Sequence, residues 1–134
     1  MKNSEIIETV CSILYPLMLL FGFYIIIFGD RSPGGGFQGG VVLATAFLST
    51  LFIKHYNETN VKILTKFEKY LFVTILIISS LSLITRGQIL TNFFPLDYHE
   101  NIRRYFLVSI NLLIGLKVAS GLTLIFSLFV EEGK

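Results

Sequence analysis

The sequence predicts an all-α, polytopic membrane protein with four transmembrane helices. Three observations lead there. Of 134 residues, 53% are hydrophobic and 15% charged, and the mean hydropathy is +0.71, values suited to lipid rather than water. The apolar residues are gathered into long blocks. Between the first two blocks lies a glycine-rich run that no ordinary soluble turn requires, Asp30-Arg31-Ser32-Pro33-Gly34-Gly35-Gly36-Phe37-Gln38-Gly39-Gly40. A soluble bundle would need polar faces at helical spacing on every element, and these are missing. The period-two polar residues of a membrane β-barrel are missing as well.

The first block, residues 6–28, carries Glu8 as its only charge. Its 23 residues reach about 34 Å as a helix, enough for a hydrocarbon core of roughly 30 Å. It lacks a basic leader and a small-residue cleavage site, so it reads as a span and not a targeting segment. Pro16 and Gly22 are expected to bend it. The second block, 37–53, is uncharged but short, and the third, 70–85, is similar. The fourth, 105–130, carries one charge, Lys117. The expected helices cover about 6–28, 35–54, 68–86 and 103–130 in a single transmembrane domain, 1–134.

The short first connection makes helices 1 and 2 antiparallel neighbours. Residues 54–69 read as a polar, partly helical surface segment that includes Glu68. The third connection contains Asn92-Phe93-Phe94-Pro95-Leu96, aromatics suited to the headgroup layer. Four spans place both termini on one side with Lys2, Lys54, Lys62, Lys66, Lys69 and Lys134; the other side has Arg31, Arg86, Arg103 and Arg104. This bias favours cytoplasmic termini.

No catalytic constellation emerges. Cys11 is a lone thiol within the first block, and His55 and His99 lie in different connections. Neither a metal site nor a cofactor is expected from them. The glycine run lacks the lysine and Ser/Thr of a phosphate-binding loop, and the modest charge of +2 calls for no nucleic acid.

Two features remain as candidate sites. Ser32 is expected to cap helix 2, with Pro33 in its first turn. Gly35 and Gly39 form one stripe, and Gly36, Gly40 and Ala44 another, a smooth ridge for close helix packing. The other reading keeps the first turn unwound, so that its N–H groups face an ion. Asp30 and Arg31 are expected at the interface as loop anchors, pairing with each other. Lys117 lies mid-span on a face with Leu113, Ser120, Gly121 and Leu124, where a charge is expensive unless it finds water or a counter-charge. No carboxylate of the chain is clearly mid-membrane, so its partner is expected on another subunit. Lys117 and Ser120 are read as part of an ion route, and the alternative for Lys117 is a purely structural interhelical pair.

The run Gly29-Asp30-Arg31-Ser32-Pro33-Gly34-Gly35-Gly36-Phe37-Gln38-Gly39-Gly40 resembles the signature of the MnhB/MrpB family. So does Asn111-Leu112-Leu113-Ile114-Gly115-Leu116-Lys117-Val118 followed by Gly121, and the likeness covers nearly the whole chain. The resemblance implies a small, non-catalytic membrane subunit of a multisubunit sodium/proton antiporter in a prokaryotic cell membrane. Its partners would be larger, complex-I-like subunits, and the transported ions protons and sodium. Antiporter members of that family often carry His-Asn or similar residues before the proline, where this chain has Asp30-Arg31-Ser32, and the departure leaves open a place in the antiporter-like module of a membrane-bound hydrogenase-type complex. A purely structural role in assembly is the remaining alternative.

Overall fold

The computed structural model describes residues 5–53, 61–87 and 100–132. His55, His99, Lys2, Lys54, Lys134 and the 92–96 stretch lie outside the described residues. Four helices account for nearly all the rest: α1 (Glu5–Ile27), α2 (Gly36–Ile53), α3 (Val61–Arg86) and α4 (Glu100–Glu132). The all-α class is as expected. Three helices, α1, α3 and α4, are long and apolar enough to cross a membrane; the apolar part of α2, Gly36–Thr50, is shorter.

Each helix end has a local cause. α1 runs through Pro16 without interruption. It closes in a turn where the N–H groups of Arg31 and Ser32 both donate to the Phe28 carbonyl, at 2.9 Å. The Ser32 hydroxyl donates to the same carbonyl at 3.0 Å. Ser32 therefore finishes α1 and does not cap α2, contrary to expectation. Pro33 likewise stands in the connection and not in the first turn of α2. Gly35, at φ 141°, adopts a backbone conformation that side chains disfavour. α3 ends at Gly87, whose φ of 70° lets its N–H reach back to the Leu83 carbonyl at 2.8 Å.

α3 starts at Val61, seven residues before the expected 68. Leu64, Glu68, Leu71 and Ile75 recur at spacings of four, three and four, so a helical face continues back through the charged residues. The Thr65 hydroxyl bonds to the Val61 carbonyl at 2.7 Å within that added turn. Hydropathy alone hides this extension because Lys62, Lys66 and Lys69 interrupt the apolar run.

α4 is the hub. It touches all three other helices, α2 lies between α1 and α4, and α3 packs on α4 alone among the described helices. Gly22 of α1 faces Leu43 of α2, and Ile26 faces Gly39, so α1 and α2 are antiparallel. Gly36 faces Asn111 and Ile114, and Gly40 faces Gly115 and Val118, so α2 and α4 run parallel. The innermost side chains are Ile26, Leu43 and Ala119, with Leu19 packed against them. Large apolar side chains such as Ile6, Leu20, Ile84 and Phe129 are exposed. That outward placement suits a lipid or protein surround.

Candidate functional site

The glycines of α2 divide between two neighbours. A Cβ at Gly39 would collide with Ile26 of α1 and lie 2.7 Å from the Gly22 carbonyl oxygen. A Cβ at Gly36 would lie 2.5 Å from the Asn111 carbonyl oxygen of α4, and one at Gly40 would lie 2.6 Å from that of Gly115. Gly115 in turn leaves room for Ile26, whose Cδ1 would stand 2.6 Å from an added Cβ. Ile26 is thus a fully buried key held by glycines of two helices. Glycine inside a helix costs about 1 kcal/mol relative to alanine. Backbone-to-backbone approach offsets this cost, because in a bilayer packing and not water exclusion holds helices together.

The rest of the glycine run does other work. Gly29 and Gly35 touch backbone to backbone within the connection: a Cβ on Gly29 would lie 2.6 Å from the Gly35 Cα. A Cβ at Gly34 would meet the Ile25 side chain at 2.8 Å. Gly35 therefore belongs to the connection and not to an interhelical stripe with Gly39. Ala44 is buried, in keeping with its place one turn beyond Gly40. Phe37 and Gln38 are exposed and point away from the packed face. The backbone is non-helical at Gly34 and Gly35, in the connection before α2, and close packing runs from Gly36 onward.

At this end of the bundle Asp30 gathers the charges. The Arg104 Nε–H donates to Asp30 Oδ2 at 3.0 Å, and the Arg104 guanidinium lies 5.8 Å from the centre of the Phe28 ring. Arg31 is looser, at 3.8 Å from the same oxygen. Asp30 therefore ties the first connection to the start of α4, a longer-range link than the expected pairing with Arg31.

The opposite half holds Lys117. It is 17 residues past Glu100 and 15 before Glu132, so its backbone is near the middle of α4. Its Nζ lies 3.1 Å from Glu68 Oε1 and 5.2 Å from the centre of the Phe72 ring. The counter-charge is in this chain, not on another subunit as expected. Glu68, the first residue of the expected helix, instead lies two turns inside α3, and the packing of α3 on α4 sets it opposite Lys117. Glu68 was hidden because the charges around it resemble a surface segment, although its spacing from Leu64 and Leu71 places it on the packed face. The pair remains 32% and 24% exposed, respectively. Ser120 is buried and its hydroxyl donates to the Lys117 carbonyl at 3.0 Å. Hydroxyls of Thr74 and Thr85 likewise bond to carbonyls four residues back.

A family model described as a domain related to the MnhB subunit of Na+/H+ antiporter matches residues 6–124. The chain belongs to the MnhB family. That match takes in both glycine-bearing faces of α2, Asp30 with Arg104, and Glu68 with Lys117.

Relatives of this MnhB-family chain occur in staphylococci under the name "Putative antiporter subunit mnhB2". The protein of Staphylococcus saprophyticus is 45% identical over 47 residues, 35% of this chain and 33% of its own length. That of Staphylococcus epidermidis is 32% identical over 76 residues, 57% of this chain and 54% of its own. That of Staphylococcus haemolyticus is 34% identical over 72 residues, 54% of this chain and 51% of its own. The matched part thus spans about a third to a half of these relatives. No solved structure matches the chain. Family membership and helix composition together make this a polytopic membrane protein.

Proposed function

We propose that this chain is a non-catalytic membrane subunit of a multisubunit Na+/H+ antiporter, seated beside larger complex-I-like subunits. Lys117, Glu68 and Ser120 help form or tune its ion route. The family match and the antiporter names of the relatives support the assembly. The observation that carries the route is the ion pair itself. Two opposite charges stand together between apolar helices, yet neither side chain is sealed from the outside. Ionisable groups in membrane spans are expensive and characteristically line ion or proton paths.

In this reading α2 is a fourth span. Its 18 residues reach about 27 Å, close to the roughly 30 Å of a hydrocarbon core. The chain then forms a single transmembrane domain over 1–134 in a prokaryotic cell membrane, with cytoplasmic termini. Pro33, Gly34 and Gly35 shape the turn into α2, while Gly36, Gly39, Gly40 and Ala44 dock that helix. Phe37 and Gln38, exposed at its start, face neighbouring subunits or lipid. Asp30 and Arg31 anchor the connection at the interface. A scaffold role is favoured by a separate observation, the satisfaction of Lys117 within the chain.

The test of the assembly is purification of the tagged chain from its native membrane in mild detergent, with mass spectrometry of what stays bound. Large antiporter-like subunits without redox subunits are expected. Nickel–iron or iron–sulfur subunits alongside them would move the chain to a hydrogenase-type complex. Recovery of this chain alone, after crosslinking has excluded dissociation, would overturn the proposal.

A further inference from the structure

Lys117 sets the depth of what surrounds it. Its backbone is near the middle of α4, and Glu68 meets it from α3. Leu64 and Phe67 of α3 share a groove with Leu116 and Ala119 of α4, so the neighbouring turns of the two helices are level as well. Lys66 and Lys69 stand two residues before Glu68 and one after it, within about 3 Å of its height along α3. The same level can be followed across the bundle, because Ile26 of α1 packs on Gly115 and Gly40 of α2 packs on Gly115 and Val118. A slab reaching about one turn to either side of Lys117 takes in roughly 20–28 of α1, 37–45 of α2, 64–72 of α3 and 113–121 of α4. Within it α1 and α2 carry no charge and α4 carries Lys117 alone, whereas α3 carries Lys66, Glu68 and Lys69. Three lysines thus face one glutamate, a surplus of two positive charges at mid-span.

The surplus points outward. Lys66 lies two residues after Leu64 and Lys69 two before buried Leu71, about 200° round the helix from the side that packs on α4. Neither α1 nor α2 covers that side of α3. Both lysines are exposed, and neither makes an ion pair among the described residues. The other described carboxylates are remote: Glu5 and Glu8 begin α1, Glu100 begins α4, Glu131 and Glu132 end it, and Asp30 is held by Arg104. From mid-depth roughly 15 Å separates an ammonium from either headgroup layer, further than a four-carbon stem extends. Charges placed so deep are held by counter-charges or water. The lysine face continues along α3 as exposed Val73, Ile77 and Ile84, so an occupant meets positive charge at one level and hydrocarbon beyond it. That pattern suits a helix lying along α3 better than a column of water. We infer that this face docks a membrane-spanning helix of a neighbouring subunit, one that sets at least one carboxylate level with Lys117 and between Lys66 and Lys69. The inference rests on the chain being part of an assembly, but not on an ion route.

The test treats the assembled complex in its native membrane with dicyclohexylcarbodiimide, which enters the bilayer and joins a carboxylate to an adjacent lysine as an amide. Mass spectrometry of the digest then reads the links. Lys117 with Glu68, 3.1 Å apart, is the internal control for reagent at this depth. Lys66 or Lys69 is expected to be linked to an Asp or Glu in an apolar segment of one neighbouring subunit. Benzoylphenylalanine in place of Val73 should give adducts to that same subunit. Lys66→Met combined with Lys69→Met should lower recovery of the subunit at least about tenfold, and Lys66→Arg with Lys69→Arg should keep it. A Lys117–Glu68 link with none from Lys66 or Lys69 would overturn the docking face, as would adducts to lipid alone from position 73. Labelling of both lysines in the complex by a membrane-impermeant amine reagent would overturn it too, by showing water in place of a helix. Recovery of the chain with no large subunit bound, after crosslinking, would instead remove the assembly reading beneath it.

Discussion

The two sides of α4 solve different problems. Towards α1 and α2 the side chains have been removed, so that Gly22, Gly36, Gly39, Gly40 and Gly115 bring backbones together around Ile26. Towards α3 the side chains have been kept. There Lys117 meets Glu68 and Phe72, and a groove remains where α2 and α3 fail to meet. The first side is a rigid joint with no freedom to rearrange without collision. The second has a charge pair and space, the two things a moving ion or a neighbouring molecule needs. Close packing and the charge pair have been placed on different flanks of one helix.

The contrast is broken most severely at the joint. Gly39→Leu drives a side chain into Ile26 and the Gly22 carbonyl, both held by helix backbones. Overpacking of this kind costs about 1–3 kcal/mol or more. The expected outcome is loss of folded chain, read as the monodisperse fraction in detergent and as recovery of the assembled complex. Ile26→Ala removes the key and leaves a cavity. It should cost about 2–5 kcal/mol, less if the glycine-lined walls close in. Thermal unfolding of the purified complex measures this directly.

On the α3 side the effects should be smaller and coupled. Lys117→Met or Glu68→Gln alone strands the other charge, whereas the double variant strands none. A double-mutant cycle should give a coupling of about 1 kcal/mol, in the range of polar contacts between membrane helices. A coupling of zero would mean that the two groups do not meet in the membrane. The smallest expected change is Gly121→Ala. Gly121 has open space where a Cβ would go, unlike Gly115 six residues before it on the same helix. The substitution should be neutral or stabilise by up to about 1 kcal/mol through helix propensity. Gly115→Ala, meeting Ile26 at 2.6 Å, should destabilise.

How much of this was legible in the sequence differs between the two sides. The joint was largely readable, because glycines four apart in an apolar helix have few explanations besides close approach. What the spacing could not say was that Gly36 and Gly40 serve α4 while Gly39 serves α1, since that depends on which helices become neighbours. Ser32 was misleading for a local reason: a serine before a helix is a cap by composition, but here it lies within reach of the Phe28 carbonyl and finishes the preceding helix. The α3 side was read incompletely. Lys117 stood out by its position among apolar residues, yet its partner is 49 positions away within a charged stretch. Only the continuation of the Leu64–Leu71 periodicity through Glu68 marked that stretch as helix, and no local rule states that α3 and α4 pair.

The Lys117–Glu68 pair is proposed to belong to an ion route and not only to the fold. The most direct measurement is sodium-driven proton exchange in everted membrane vesicles carrying Lys117→Met, divided by the amount of assembled complex in the same vesicles. A fall of about tenfold or more in exchange per complex, with assembly intact, is the predicted result; it corresponds to roughly 1.4 kcal/mol on the transport barrier. Unchanged exchange per assembled complex would take the pair out of the ion route and leave it as a structural tie between α3 and α4.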